Sequence, residues 1–354
     1  MVMADTQICR IVNHSESNAK MNEAYEEATL LARHQEQPMD TIRVWQNESA
    51  VLLGNSGEME ISVIEDRCKL SNVTIVRRAS SGKTIYQDQG TLNLTYVINQ
   101  KNLFTETENL TEMYRQLCEP VAHGISRFGV KTEVADYGQS ISAQGKRLCN
   151  TYVNFYYDLI LFALSVDINT NLNVLRQVLK QEDDTTTLGT VLGRTVSMED
   201  ASKTLLNTIA EHFGLTVENQ NFTLSEEELA KRLYEKKYSK DEWTIHGISP
   251  LSLRDVLVDL YVAYPPTRSC KEIIENVKSA ITEFRDKVEL RIWMHGKGLD
   301  GQRCPPGVTM TGGLIRASKE SIIPAVIING EIVFSRDVPS KEDLRNKILQ
   351  GIKG

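Results

Sequence analysis

One short stretch of the chain combines cations, hydroxyls and a glycine closely enough to bind a phosphorylated ligand. It runs Arg77-Arg-Ala-Ser-Ser-Gly-Lys-Thr84 and overlaps the end of a predicted strand at Val73–Arg78. Backbone N–H groups of a small-residue loop can surround phosphate, and a neighbouring cation stabilises developing negative charge. Gly82-Lys83-Thr84 also suggests a P-loop, but that motif needs a glycine in place of Arg77 and a helix afterwards. The chain continues through Asp88-Gln-Gly90 into a predicted strand, which disfavours a P-loop.

The six cysteines are the other residues whose type suggests chemistry. They are scattered along the chain at positions 9, 68, 118, 149, 270 and 304. None belongs to a Cys-x-x-Cys pair, which excludes zinc-ribbon and ordinary dithiol motifs. Scattered cysteines in a chain of this length indicate reduced thiols. We therefore expect a cytoplasmic protein that has no metal site of its own.

The composition is that of an ordinary globular protein. The 354 residues are 41% hydrophobic and 25% charged, and the formal net charge is −7. We expect no nucleic-acid partner, because nucleic-acid-binding proteins usually present a basic face. We also expect no membrane partner, since the longest apolar run, Leu159–Leu164, is far too short to span a bilayer and no leader sequence opens the chain.

The hydrophobic pattern of the first part predicts a mixture of helices and strands. Asn18–His34 and Glu108–Phe128 have apolar residues at helical spacing, and Tyr152–Ile168 has the β-branched and aromatic composition of strands. Ser225 with Glu228 predicts a capping box at the start of a later helix. The predicted fold class is α/β (α+β).

The pattern changes near residue 250. From Leu251 onward the predicted order is β-α-β-loop-β-β-α, which describes a compact α/β domain. Charge changes there as well: Pro250 to Gly354 carries 16 basic and 13 acidic residues, whereas the remainder has a net charge of −10. We therefore predict two domains, residues 1–247 and residues 248–354.

The wider pattern around Arg77 resembles the lipoate/biotin-protein ligase superfamily. Lipoate-protein ligases carry Arg-Arg-x-Ser/Thr-Gly-Gly-Gly-Ala-Val-x-His-Asp-x-Gly, and this chain reads Arg77-Arg-Ala-Ser-Ser-Gly-Lys-Thr-Ile-Tyr-Gln-Asp-Gln-Gly90. Asn22-Glu-Ala-Tyr25, Val51-Leu-Leu-Gly54 and the stretch that ends at Trp243 are similar to the family too. The resemblance covers about Ile8 to Gly247 and implies a mixed-sheet ligase domain.

The resemblance also implies a reaction and its ligands. In that family ATP and lipoate form an acyl-adenylate, which a lysine of a carrier protein attacks. We therefore expect ATP, Mg²⁺ and lipoate or octanoate as ligands, and a lipoyl-carrier protein (a lipoyl domain or an H-protein-like domain) as partner. Arg78 would hold acyl and phosphate oxygens, and Asp88 would be a structural or metal-linked carboxylate. The other predicted binding residues form or follow the phosphate-binding loop: Ser80, Ser81, Gly82, Lys83 and Gln87.

The chain departs from the family pattern at the residues closest to the chemistry. The triple glycine is replaced by Ser81-Gly82-Lys83, and Gln87 takes the place of the usual histidine. The family's essential lysine falls in register on Arg147, with Lys146 beside it, so these two are the predicted catalytic residues. Arginine does not simply replace lysine there, because it is a rigid fork whereas lysine is a compact point charge.

Three hypotheses follow from these departures. The first is an active lipoyl- or octanoyl-protein ligase or acyltransferase with a re-lined site, which we take as the predicted function. The second is a non-catalytic scaffold that binds lipoyl carriers after the loss of adenylation. The third uses Cys149 as a thiol nucleophile, as some relatives do at another position, although a single cysteine on a strand is usually just buried.

The second domain resembles the thioredoxin-like fold. That fold has a cis-proline where Ile323-Pro324 enters a strand here, beside a Cys-x-x-Cys-Lys stretch that opens a helix. Cys270 takes the place of the second cysteine and Thr267 that of the first, which disfavours disulfide exchange by the usual pair. Arg268 and Lys271 beside a helix start would favour a thiolate, and the long loop could bring Cys304 near.

The two resemblances together suggest a link, because lipoate is a cyclic disulfide. A domain related to disulfide chemistry could recognise the lipoyl group or change its redox state. The alternative is a protein-binding module that keeps one leftover cysteine.

Overall fold

The structure, a computed structural model, describes residues 8–35, 39–180, 184–301 and 308–353. The chain divides after Ile248 into two compact units, which are taken in turn below.

The first unit contains eleven strands and ten α-helices within the described residues. The strands are β1 (Ile8–Asn13), β2 (Asp40–Trp45), β3 (Ala50–Leu53), β4 (Thr74–Arg77), β5 (Ile85–Gln87), β6 (Thr91–Asn99), β7 (Thr132–Ala135), β8 (Ser140–Ala143), β9 (Lys146–Tyr156), β10 (Leu159–Asp167) and β11 (Thr216–Asn219). The helices are α1 (Ala19–Gln35), α2 (Met59–Ser62), α3 (Glu65–Leu70), α4 (Gln100–Leu103), α5 (Leu110–Ser126), α6 (Leu172–Val178), α7 (Leu188–Leu192), α8 (Met198–Phe213), α9 (Leu224–Leu233) and α10 (Asp241–Thr244).

Two sheets form the framework of this unit. The large mixed sheet has the order β11-β1-β2-β6-β10-β9-β8-β7, and the small sheet has the order β4-β3-β5. Both β1–β2 and β3–β4 are parallel pairs, whereas β10 runs antiparallel to both of its neighbours, β6 and β9. The predicted mixed-sheet domain is therefore confirmed for this part of the chain.

Each face of the large sheet has its own core. On one face, apolar residues of α5 and α8 such as Leu117 and Leu205 pack with Phe162 of the sheet. On the other face, Tyr152 packs with residues of α1 and of the small sheet, including Leu30 and Leu52. This second core places α1, the small sheet and β9 around one region, which also contains the Arg77–Thr84 stretch.

The start of α9 corrects one sequence prediction. Thr223, not Ser225, caps the helix: its Oγ1 accepts a hydrogen bond from Glu226 N at 3.3 Å, and Glu226 Oε2 accepts one from Thr223 N at 2.8 Å. Glu226 is fully buried and also accepts a hydrogen bond from Arg10 Nη1 at 2.9 Å. The predicted Ser225–Glu228 box was wrong because this buried ion pair fixes which glutamate faces inward.

The second unit is a five-stranded sheet with helices. Its elements are β12 (Val256–Val262), α11 (Arg268–Ala280), β13 (Val288–Met294), β14 (Gly298–Leu299), α12 (Gly312–Lys319), β15 (Ala325–Ile328), β16 (Glu331–Ser335) and α13 (Lys341–Lys353). The order is β14-β13-β12-β15-β16, in which only the β12–β13 pair is parallel. Cys270 of α11 and Leu344 of α13 lie in the core with Val258 of β12. The Ile323–Pro324 peptide is cis.

Among the described residues, no helix is both long enough and apolar enough to cross a membrane.

Candidate functional site

The Arg77–Thr84 stretch connects β4 to β5 in the small sheet and touches the large sheet on its way. Ser81 forms an isolated bridge with Val153 of β9, donating hydrogen bonds from its N and Oγ to Val153 O at 2.8 and 3.0 Å. A strand follows the stretch, so no helix N-terminus meets the loop as a P-loop would require. The loop therefore links the two sheets, and the Ser81 N–H is already hydrogen-bonded to Val153 O.

Arg77 fastens this loop to the end of the first unit. Its guanidinium donates to Trp243 O at 2.9 Å, Gly57 O at 2.7 Å and Ile245 O at 3.0 Å, while Trp243 Nε1 donates to Arg77 O at 2.8 Å. Burial lowers the pKa of Arg77. Because these acceptors are backbone carbonyls, Arg77 has a structural role. Its contacts with Trp243 explain why the stretch around Trp243 resembles the family together with the Arg77–Thr84 motif.

Arg78 points into the protein and has no exposed surface. It donates from Nη1 to Leu52 O at 2.9 Å and from Nη2 to Lys83 O at 2.6 Å, and its guanidinium lies 4.7 Å from the centre of the Tyr152 ring. Its Nε is buried without a hydrogen-bond partner among the described residues. Burial lowers the pKa of Arg78. Each terminal nitrogen of the predicted oxygen clamp therefore donates to a backbone carbonyl, whereas its Nε–H is not used by the described residues.

The remaining loop residues differ in exposure. Ser80 is buried and its carbonyl accepts a hydrogen bond from Asn55 N at 2.9 Å. Gly82 has φ +122°. Its backbone lies so close to Gly54 that a Cβ added to Gly54 would collide with Gly82 O. Gly82 and Lys83 are exposed. Lys83 is thus the cation of the loop that solvent and an anionic ligand can reach.

Gln87 and Asp88 belong to internal networks. Gln87 is fully buried, donates to Asn93 and Ser165 at 2.8 Å each, and accepts from Asn47 at 2.8 Å. Asp88 accepts from the backbone N of Gly90 at 2.8 Å and of Asn171 at 2.9 Å, and from the Tyr86 hydroxyl at 3.1 Å. Of the two predicted roles for Asp88, these contacts support the structural one.

Lys146 and Arg147 stand at the beginning of β9, away from this loop. Lys146 is exposed, with its Nζ 3.8 Å from Asp184. Arg147 is half-buried, exchanges backbone hydrogen bonds with Asp184 O and Thr186 N, and donates from Nη2 to Thr185 Oγ1 at 3.4 Å. Burial lowers the pKa of Arg147, against the effect of nearby Asp167. Tyr152 lies five residue steps further along the strand, about 17 Å away. The contacts described for Arg78 and Arg147 therefore lie at different places on β9.

Cys149 lies inside the core on the α5–α8 side of the large sheet and is fully buried. Burial, reinforced by Cys118 and Asp167, raises its pKa well above the ordinary value. A thiol in this setting stays protonated and is inaccessible to an acyl donor. The cysteine-nucleophile hypothesis therefore has no support from the position of Cys149.

Beside the loop lies a small cavity that the sequence predictions missed. Its lining residues come from α1, the loop, β9, β10 and the segment after α9: Glu23, Glu26, Glu27, Ala79, Ser80, Tyr152, Asn154, Leu161 and Tyr238. The cavity measures about 10 Å³, enough for roughly one water molecule. The signal in the sequence was the spacing of the three glutamates, because residues at i, i+3 and i+4 share one face of a helix.

Glu23 is the unusual member of this group. It is buried, and its Oε1 has no hydrogen-bond partner among the described residues. Burial and the neighbouring Glu26 raise the pKa of Glu23 to about 8, although Arg78 opposes the shift. The apolar slot that a lipoate or octanoate chain needs is therefore not open here, and an acid lines the space instead.

In the second unit, the structure places the predicted redox residues at the start of α11 and the entry to β15. Thr267 caps α11, and its Oγ1 accepts a hydrogen bond from Cys270 N at 3.3 Å. Cys270 is buried and its Sγ accepts one from Ala263 N at 3.5 Å. Pro324 is buried directly before β15. Cys304 lies outside the described residues.

Comparisons with known proteins identify the family. Residues 18–210 match the family described as the lipoyl protein ligase A/B catalytic domain. This chain belongs to that family. Two curated relatives are similar over most of their own lengths. Lipoate-protein ligase A subunit 1 of Thermoplasma acidophilum is 24% identical over 249 residues, 64% of this chain and 92% of the relative. The octanoyltransferase LipM of Clostridioides difficile is 22% identical over 269 residues, 66% and 97% of the two chains.

Solved structures agree on the fold of the first unit. A lipoate-protein ligase A bound with ATP superposes with a TM-score of 0.63 at 23% identity, covering 68% of this chain and 100% of that one. A bi-partite lipoate protein ligase from Thermoplasma acidophilum, studied with its E2 lipoyl domain, has a TM-score of 0.62 at 22% identity and covers 69% and 98%. The lipoate-protein ligase fold is therefore shown for this ligase-family domain.

Proposed function

We propose that the first unit is a lipoyl- or octanoyl-protein ligase or acyltransferase that modifies a carrier lysine through an acyl-adenylate. One observation carries the proposal: within a domain of the ligase family, Arg78 is held in place with a spare N–H on Nε, next to the loop that contains Lys83. Pre-positioned cations stabilise the charge that develops on acyl and phosphate oxygens. The relatives, which are named as a ligase and an octanoyltransferase, support the same class of reaction.

The ligands in this proposal fit the residues only in part. Lys83 is exposed and can meet the phosphates of ATP, whereas the Ser81 N–H is already bonded to Val153 O. No group of three acidic, histidine or cysteine residues in the described part of the chain is placed to hold a metal ion. Mg²⁺ would therefore come with the phosphates of the nucleotide. The cavity beside Glu23, at about 10 Å³, is too small to hold lipoate or octanoate.

The partner in this proposal is a lipoyl-carrier protein. The bi-partite ligase with its E2 lipoyl domain supports this choice. Cytoplasmic location, proposed from the reduced cysteines, is consistent with the free thiols of Cys9, Cys68, Cys118, Cys149 and Cys270.

A second candidate, a non-catalytic scaffold for lipoyl carriers, is favoured by a different observation. Arg147 occupies the register position of the family's lysine, and its Nη2 donates to Thr185 beside the acidic Asp167. An arginine engaged in this way is a weaker candidate than a free lysine for polarising an acyl group.

Intact-mass measurement separates the two candidates. The full chain is incubated with ATP, Mg²⁺, lipoate or octanoate and an E2 lipoyl domain, and carrier binding is measured in parallel by calorimetry. A lipoyl or octanoyl mass increase on the carrier supports the ligase. Carrier binding without any mass increase contradicts the ligase and supports the scaffold.

For the second unit we propose a thioredoxin-like fold over residues 248–354, with a role in recognising the lipoyl group. The β-α-β order, the parallel β12–β13 pair, the antiparallel β15–β16 pair and the position of Pro324 support the fold. Because Cys270 is buried and Thr267 replaces its partner, recognition is favoured over thiol exchange. Comparing binding of lipoylated and unlipoylated carrier to the full chain and to Cys270→Ser tests this. A preference for the lipoylated carrier is expected to survive the substitution, and its absence from the unaltered chain would contradict the role.

A further inference from the structure

Glu23 is a buried acid at the wall of the cavity. It is 2% exposed, and its Oε1 has no hydrogen-bond partner among the described residues. Buried carboxylates are ordinarily paired and hydrogen-bonded, because desolvation strongly disfavours an isolated charge. An unsatisfied carboxyl oxygen at a cavity therefore indicates that a group with N–H donors completes the site.

The other two glutamates of the cavity are satisfied by the protein itself. Glu26 accepts from Arg43 Nη1 at 2.8 Å and from Thr95 Oγ1 at 2.7 Å. Both oxygens of Glu27 accept from Lys237 Nζ, at 3.0 and 2.9 Å, and Oε2 also accepts from the Tyr238 hydroxyl at 2.7 Å. Glu26 and Glu27 each have a cationic partner, so Glu23 is the glutamate of the three with an unsatisfied oxygen. The Tyr152 hydroxyl at the same cavity is also buried without a hydrogen-bond partner among the described residues.

Arg78 and, to a smaller extent, Arg43 lower the pKa of Glu23, but neither forms a hydrogen bond to it. Nη1 and Nη2 of Arg78 donate to Leu52 O and Lys83 O, and its guanidinium faces the Tyr152 ring. Arg78 lowers the pKa of Glu23 only through space and is outweighed by burial. The described residues therefore provide no hydrogen-bonded cation for Glu23.

The shape of the cavity limits what can fill that position. At about 10 Å³ it has room for roughly one heavy atom, and Ser80, Tyr152 and Asn154 are among the residues that line it. Glu27, Ala79 and Asn154 are only half-buried, so this side leads to the surface beside the loop. A methyl or dithiolane end placed here would bury Glu23 without a partner, whereas an ammonium nitrogen has three N–H donors.

We propose that this cavity binds a primary alkylammonium group against Glu23, so that the first unit handles a ligand ending in an amine. Two ligands share this chemistry: the acceptor lysine of a carrier protein and an amino-terminated acyl group. The inference rests on the proposed function for its choice of carrier and acyl donor. It extends that function by assigning the chemical class of the group bound beside the Arg77–Thr84 loop.

Matched small molecules test the inference on the full chain. Binding of Nα-acetyl-lysine methylamide is compared by NMR titration with that of Nα-acetyl-norleucine methylamide, which ends in methyl. Binding of 6-aminohexanoate is compared likewise with hexanoate. Each amine is expected to bind about tenfold more tightly than its methyl-ended counterpart, a difference of about 1.4 kcal/mol in binding free energy.

Equal binding within both pairs is the result for a cavity that holds only water, and it overturns the inference. Tighter binding of the lysine derivative identifies the carrier as the source, and tighter binding of 6-aminohexanoate identifies the acyl group.

Two variants test whether Glu23 is responsible for the amine preference. Glu23→Gln keeps the size of the side chain and is expected to abolish the amine preference. Glu227→Gln, at an exposed position of α9, is the matched control and is expected to keep it. A preference that survives Glu23→Gln contradicts the assignment. If Glu23→Gln does not fold, as judged by thermal melting, the comparison of amine and methyl probes on the unaltered chain still decides.

The same experiments separate this inference from the proposed function. Amine preference without any mass increase on the carrier overturns the ligase and leaves the amine site standing. A mass increase that Glu23→Gln leaves unchanged, together with equal binding of amine and methyl probes, overturns the amine site and leaves the ligase standing.

Discussion

The guanidinium of Arg78 lies 4.7 Å from the centre of the Tyr152 ring, and this contact joins the motif loop to β9 of the large sheet. Arg78 also holds Leu52 O of β3 and Lys83 O of the loop itself. One side chain thus connects the small sheet, the loop and the large sheet. The residue that sequence similarity assigns to ligand oxygens is also a central element of the architecture.

Arg78→Ala is expected to destabilise the protein by about 3 kcal/mol, because it removes the hydrogen bonds to Leu52 O and Lys83 O and opens a cavity next to Tyr152. The free energy of unfolding is measured by urea titration. Lys83→Ala in the same loop is the control: its side chain is exposed, and we expect a change within about 0.5 kcal/mol. Equal effects of the two substitutions would show that the buried contacts of Arg78 do not hold the loop.

Gly82→Ala is expected to cost about 2 kcal/mol or more, because φ is +122° and the new Cβ would lie 3.0 Å from Arg78 Nη2 and 3.1 Å from Tyr152 Cβ. Gly129→Ala separates the two causes, since φ there is +87° but no atom lies within 4 Å of the added Cβ. We expect about 1 kcal/mol for Gly129→Ala in the same urea titration. A cost for Gly82→Ala no larger than this would exclude crowding against Arg78.

The motif could be found from the sequence, but the direction of its side chains could not. The Arg-Arg loop and the following strand were predicted because small residues, cations and strand patterns are local features. Arg78 was expected to face a ligand, yet the choice between a ligand and Leu52 O depends on a strand 26 positions away. The cap of α9 shows the same limit. Thr223 and Ser225 each have a glutamate three residues later, and only the distant Arg10 decides between them.

Stability is expected to fall as the pH rises from about 4.5 to about 8 through the ionisation of Glu23. Burial raises its pKa from 4.5 to about 8, so the folded state binds more protons than the unfolded state in this range. Each pH unit removes at most about 1.4 kcal/mol of stability. Asp167, whose pKa burial raises to about 7, changes stability in the same direction.

Glu23→Gln isolates the contribution of that residue. The difference in unfolding free energy between this variant and the unaltered protein is expected to be small at pH 4.5 and to grow in favour of the variant toward pH 8. Parallel stability curves for the two proteins across this range would contradict a raised pKa for Glu23.

Asp259 holds the interior of the second unit together. It accepts from Arg291 Nε and Nη2 at 2.7 and 2.9 Å, from Trp293 Nε1 at 2.8 Å and from Thr311 Oγ1 at 3.0 Å. Removing one partner of a buried ion pair leaves an uncompensated charge, so Asp259→Asn is expected to destabilise the protein by about 3 kcal/mol. Near-ultraviolet circular dichroism of the tryptophans follows the unfolding. Asp286→Asn, at an exposed position, should leave the midpoint nearly unchanged.

Arg147→Lys tests whether the family's lysine position has lost its function in this chain. If the ligase proposal holds, lysine provides a compact charge that can reach acyl and phosphate oxygens, whereas the arginine fork is engaged with Thr185. We expect acyl transfer to an E2 lipoyl domain, followed by intact mass, to increase about tenfold, with a stability change of about 1 kcal/mol or less. Lys69→Arg, an exposed exchange of the same two residue types on α3, controls for charge and handling. A fall in transfer rate would instead make Arg147 itself the working cation, and the ~17 Å of β9 between it and Tyr152 would then have to be bridged by the length of the ligand.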